Sequence, residues 1–89
     1  MKPNNQNAEV LLELINSTSV TRQEFMQRLG ILNVTARIAN LRIHFNIPID
    51  CEKIKVCNKY GRVVEFGKWS IPAKYIEESK EKFNIVNKS

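Results

Sequence analysis

Residues 17–50 read STSVTRQEFMQRLGILNVTARIANLRIHFNIPID, and this stretch decides the fold. Thr21 and Glu24 stand three apart, the spacing of a capping box, so a helix starts at Arg22. Phe25, Met26 and Leu29 give that helix an apolar side. Gly30 follows, a residue that takes positive φ at low cost where a helix must stop. Asn33 or Thr35 can cap a second helix, in which Val34, Ile38, Leu41 and Phe45 form one apolar stripe at spacings of 4, 3 and 4. Opposite that stripe the pattern predicts Thr35, Arg37, Asn40, Arg42 and His44. A helix held from behind, with short polar and cationic groups in front, suits the major groove of DNA.

Working outward, a first helix is expected from Asn7, where Val10, Leu11, Leu14 and Ile15 recur at helical spacing with Glu9 and Glu13 outward. Residues 16–19 are Asn-Ser-Thr-Ser, short polar groups that compete for backbone hydrogen bonds and end it. After Phe45 the period changes. Asn46 is the expected stop, and Pro48 holds Ile47 extended. Ile54 and Val56 alternate with Lys53 and Lys55 as in a half-exposed strand. A turn at residues 58–62 uses Gly61, and a return strand covers residues 63–66 and 69–71, with Gly67 expected at a bulge. Pro72 opens a last helix with Tyr75, Ile76 and Phe83 inward. A lone hairpin is marginal, so Ile54, Val56, Val64, Phe66 and Trp69 are expected to pack on the helices.

The expected fold is therefore α+β, a winged helix-turn-helix. A three-helix core carries a two-stranded hairpin wing and a C-terminal helix. Eighty-nine residues make one domain, 1–89, with 1–6 and 84–89 expected as loose ends. The predicted core includes Leu14, Phe25, Leu29, Ile38, Leu41 and Trp69.

The net charge is +5, and all of it lies in residues 33–74. There Arg37, Arg42, Lys53, Lys55, Lys59, Arg62, Lys68 and Lys74 face only Asp50, Glu52 and Glu65, while the flanking segments are neutral. Such segregation calls for a polyanion partner. Arg37 and Asn40 are the candidates for base edges, Arg for guanine and Asn for adenine. Asn33, Thr35 and Ala36 lie at the leading end of the helix, where backbone N–H groups favour phosphate. Lys59 and Arg62 flank the wing tip and can reach the backbone. Arg42, near the helix C-terminus, has as good a claim to a structural role, and Lys53 and Lys55 to guarding an exposed strand edge.

The pattern offers no nucleophile–base pair and no phosphate-binding glycine loop, so neither an enzyme nor a cofactor is expected. Cys51 and Cys57 make no disulfide framework, and their spacing, with His44 the only other soft ligand, fits no zinc motif. No apolar run approaches the ~20 residues of a membrane span and the start of the chain has no secretory pattern, so a cytoplasmic location is expected.

The runs Leu29-Gly30-Ile31, residues 35–42 (TARIANLR) and Ile47-Pro48-Ile49, set ahead of a hairpin, resemble a family of small helix-turn-helix proteins common in phages and prophages. The resemblance covers roughly residues 8–71 and departs at Phe45 and Asn46, where the family tends to have a glycine turn. It implies double-stranded DNA as partner and a regulator of phage or mobile-element origin. Two other functions fit the pattern. One is a winged-helix interaction module for an acidic protein; the other is a DNA-bending, excisionase-like accessory factor. A monomer and a homodimer are both open.

Overall fold

The computed structural model describes residues 2–88. Helix α1 spans Gln6–Asn16, and its start is fixed by Asn5, whose side-chain oxygen accepts the Ala8 N–H at 2.8 Å. A two-residue strand β1, Val20–Thr21, leads into α2, Arg22–Leu29. The capping box is present. The Glu24 N–H donates to the Thr21 hydroxyl at 3.1 Å, and the Thr21 N–H donates to the Glu24 carboxylate at 2.9 Å. Gly30 ends α2 at φ +68°, its N–H donating to the Met26 carbonyl at 2.8 Å.

Helix α3, Val34–His44, follows. Phe45 is its C-cap, and Asn46 turns the chain out with φ +53°. Asparagine tolerates this left-handed conformation better than other non-glycine residues, so Asn46 makes the turn that a glycine would. Beyond it the Ile47 N–H returns to the Leu41 carbonyl at 3.1 Å.

Strands β2, Asp50–Cys57, and β3, Val63–Ser70, pair antiparallel from Asp50 opposite Ser70 to Cys57 opposite Val63. The register is unbroken, and Gly67 sits opposite Lys53 without the expected bulge. The expected two-stranded sheet is instead three-stranded, in the order β1-β3-β2, because Val20 and Thr21 pair with Trp69 and Lys68. A 3-10 turn at Ala73–Tyr75, rather than α-helix, follows Pro72 and runs into α4, Ile76–Lys88.

The core lies where α1 packs on α3 and α4 and where β1 ties the sheet to the helices. Leu14, Phe25, Ile38, Leu41 and Trp69 are buried as expected, whereas Leu29 is only half-buried. Phe25 meets Trp69 with ring centroids 6.0 Å apart, joining α2 to the base of the hairpin. Further out the hairpin leaves the helices. Ile54 and Val64 are half-buried, and Val56 and Phe66 are exposed, so Trp69 alone of the five expected contacts belongs to the core. The molecule measures 46 × 27 × 21 Å. An eight-residue strand at ~3.4 Å per residue spans ~27 Å, and toward the tip Val56, Tyr60 and Val63 are exposed.

The ends also differ from expectation. Helix α4 runs on to Lys88, and the Asn5 side-chain amide donates to the carbonyls of Val86 at 3.0 Å and Asn87 at 3.3 Å. The Asn87 amide in turn donates to the Lys2 carbonyl at 2.9 Å, and the Asn4 N–H donates to the Asn87 side chain. The two ends expected to be loose are thus clasped to each other; Met1 and Ser89 lie outside the described residues.

Candidate nucleic-acid interface

Helix α3 buries Val34, Ile38 and Leu41, with Phe45 partly covered behind them. At about 100° per residue, the direction opposite this stripe is taken by Ala36, Ala39, Asn40 and Ile43. Thr35 and Arg42 flank that outward face on one side, and Arg37 and His44 on the other. Asn40 lies on the outward face and is half-buried. Arg37 is not opposite the stripe but beside it, and it is half-buried. Its Nε is shielded from solvent with no hydrogen-bond partner, and no carboxylate pairs with it among the described residues. The outward face is also less polar than expected. Ile43 is 71% exposed and Leu32, just before the helix, 74%. An apolar side chain such as Ile43 on the outward face of a helix that enters a groove can meet a thymine methyl.

Asn33 occupies the N-cap position of α3 and is exposed, but its side chain makes no capping bond. Thr35 is exposed and Ala36 half-buried, and Thr35 is not the cap. The leading turn of α3 therefore keeps N–H groups without side-chain acceptors, the arrangement that favours a phosphate oxygen. Arg42 is committed elsewhere. Its Nε and a terminal nitrogen donate to the Ile49 carbonyl at 2.9 and 2.6 Å, fastening α3 to the segment that enters β2.

At the hairpin tip the Asn58 side chain accepts the N–H groups of Tyr60 at 2.9 Å and Arg62 at 3.0 Å, and Gly61 turns the chain at φ +82°. The turn is thus held by the Asn58 side chain and by backbone bonds between Asn58 and Gly61 and Arg62, and the side chains of Lys59 and Arg62 take no part in it, both residues being exposed. The Lys59 ammonium lies 5.1 Å above the Tyr60 ring, and no carboxylate pairs with Lys59 or Arg62 among the described residues. Lower on the sheet Lys53 pairs with Glu65 at 3.5 Å and Lys68 with Glu52 at 3.6 Å. These pairs leave Lys59 and Arg62 at the hairpin tip without a carboxylate partner; Lys55, across from Glu65 in the register, is also in no ion pair among the described residues.

Leu32 and Phe66 line one depression, so the leading end of α3 and the Phe66 part of β3 lie next to each other. Arg22 lines it as well. This arginine, absent from the candidate contacts above, carries a sequence signal. It stands in the first turn of α2, where the helix dipole favours an acid and disfavours a cation. It is exposed and has no acidic partner among the described residues.

The structure clearly moves the titration of Glu24. The Thr21 backbone N–H that it accepts holds its carboxyl below the usual value of 4.5; burial opposes this, and the Thr21 side chain and Arg28 assist it. Cys51 and Cys57 are free and exposed, and among the described residues no cluster of His, Cys, Asp and Glu is placed to hold a metal ion. No described helix is long and apolar enough to cross a membrane. In comparisons with known proteins, no family model, no curated protein and no solved structure matches this chain.

Proposed function

We propose that this chain is a winged-helix protein that binds double-stranded DNA, with α3 in the major groove and the hairpin as a wing on the backbone. The observation that carries the reading is the distribution of unneutralised cations. On α2 and α4 the partners of Glu24, Glu77 and Glu78 are Arg28, Lys80 and Lys82. On α3 and the distal hairpin Arg37, Lys55, Lys59 and Arg62 have no such partner among the described residues, and neither do Arg22 at the start of α2, Lys74 before α4 and Lys88 at its end. Cations left unpaired on a helix and on a projecting hairpin are what a phosphate backbone neutralises.

The element order and the sheet order β1-β3-β2 support the winged-helix part of this reading. Asn40 and Arg37 supply base recognition, the leading turn of α3 and the wing tip supply phosphate contacts, and Arg42 positions the helix. Regulation of transcription in a phage or mobile element is the task we assign, on the sequence resemblance.

Selection from a random duplex library with the intact protein tests the reading. It predicts an enriched motif of a few base pairs whose recognition relaxes when Arg37 or Asn40 becomes Ala. Failure to retain any duplex at low salt contradicts it.

A further inference from the structure

We infer that the open edge of β3 takes up an extended, acid-bearing peptide segment of a partner protein as an added strand. Strand β1 covers only Lys68 and Trp69 of this edge. A strand continuing β1 would run opposite Gly67, Phe66 and Glu65, but the chain turns into α2 at Arg22 and leaves that lane vacant. Residues 63–67 of β3 therefore pair on the β2 side alone among the described residues. The vacant lane is a shaped slot. A depression of ≈ 240 Å³ lies between Thr21, Arg22 and Gln23 on one bank and Val64, Phe66 and Gly67 on the other. A second, of ≈ 310 Å³, continues it past Phe66 to Met26, Ile31 and Leu32. Met26, Leu32 and Phe66 are all exposed there, large apolar groups with no cover.

Backbone groups along one bank and apolar pockets beside them match strand addition, in which main-chain bonds give affinity and alternate side chains give specificity. The chemistry of the segment follows from the lining. One side chain that enters the Met26–Phe66 pocket is apolar. A neighbouring one is acidic, because Arg22 borders both depressions and has no carboxylate of its own among the described residues. A second copy of this chain is the poorer occupant. Pairing two β3 edges about a two-fold at their centre sets Glu65 against Glu65, and like charges directly opposed destabilise a strand pair. The outer edge of β2 is guarded differently, by the exposed Lys53 and Lys55, as edge strands commonly are.

The test uses a displayed library of random peptides selected against the full-length protein in the absence of DNA. The inference predicts a consensus that alternates apolar positions and carries one acid. A synthetic consensus peptide then weakens roughly tenfold or more with Met26→Glu and with alternate backbone N-methylation, the loss of one or two main-chain bonds at ~1.4 kcal/mol per tenfold. With Arg22→Ala it loses its preference for the acid. Met26 and Arg22 are exposed, so these variants keep the fold, which circular dichroism verifies. Three results overturn the inference: no consensus, a peptide indifferent to Met26→Glu or to N-methylation, or a dimer in sedimentation that Met26→Glu dissociates. Because no nucleic acid is present, the outcome is separate from that of the DNA reading.

Discussion

Arg37 and Arg42 show how alike two residues look in a sequence and how differently the fold uses them. They lie five apart on α3, both basic, both beside the apolar stripe. Arg42 finds a carbonyl, that of Ile49, because the left-handed Asn46 folds the chain back along the helix. Arg37 finds none. The sequence made either role open to Arg42, and no local pattern announces a carbonyl seven residues on. We expect Arg42→Ala to lower the melting temperature, since it strips the donors from a largely buried acceptor at a cost of ~1–3 kcal/mol. DNA affinity per folded molecule should hardly change. Arg37→Ala and Asn40→Ala should do the reverse. Each is expected to cost ~1–3 kcal/mol of binding to the selected site and to relax its sequence, with a melting temperature close to wild type. Parallel melts and binding curves on the three variants check both expectations. Loss of folding without loss of affinity at Arg37 would make that residue structural.

At the scale of elements, caps were readable and sheet edges were not. Thr21, Glu24 and Gly30 act within a few residues of themselves, so their spacing sufficed to place α2. Strand β1 is two residues long, too short for any alternation to register, and its partner lies almost fifty residues away. The hairpin itself was legible, but not how far it projects. An alternating pattern marks a face without saying what covers it, and for Val56 and Phe66 little does. The capping box carries a pH signature. The folded state holds the Glu24 carboxyl below its usual value, chiefly through the Thr21 N–H, so its stabilising contribution is complete above pH 4.5. It is lost as pH falls below that value and Glu24 is protonated in the folded state. Melting temperatures from pH 7 to pH 3 should fall less steeply for Glu24→Gln than for the parent chain, the variant being less stable at neutral pH. Equal slopes would show that the box contributes nothing that depends on ionisation.

At the scale of the molecule, the ends are held together and the charge is held apart. Asn5 caps α1 through its oxygen and binds the end of α4 through its nitrogen, a double role that a polar N-terminal segment does not reveal. Asn5→Asp keeps the capping oxygen and loses the donor, and Asn5→Ala loses both. Thermal stability should therefore rank parent above Asp above Ala, the Ala variant lower by ~0.5–2 kcal/mol from the cap alone. An Asp variant no better than Ala would assign all the stabilisation to the clasp. The segregation of charge, by contrast, was plain from counting residues along the chain. What counting could not give is which cations are free. The structure separates the paired Lys53 and Lys68 from the unpaired Lys55, Lys59 and Arg62. This bears on the central claim, that the free cations of α3 and the wing neutralise DNA phosphates. The most direct test is the salt dependence of binding to a short duplex, measured for the parent chain and for Lys59→Ala/Arg62→Ala. Each neutralised phosphate adds ~ −0.9 to the slope of log affinity against log salt. The account predicts a steep negative slope for the parent, flattened by about two units in the double variant, with selected and random duplexes weakened by a similar factor. A parent slope near zero, or a double variant that binds with unchanged affinity and slope, would contradict it.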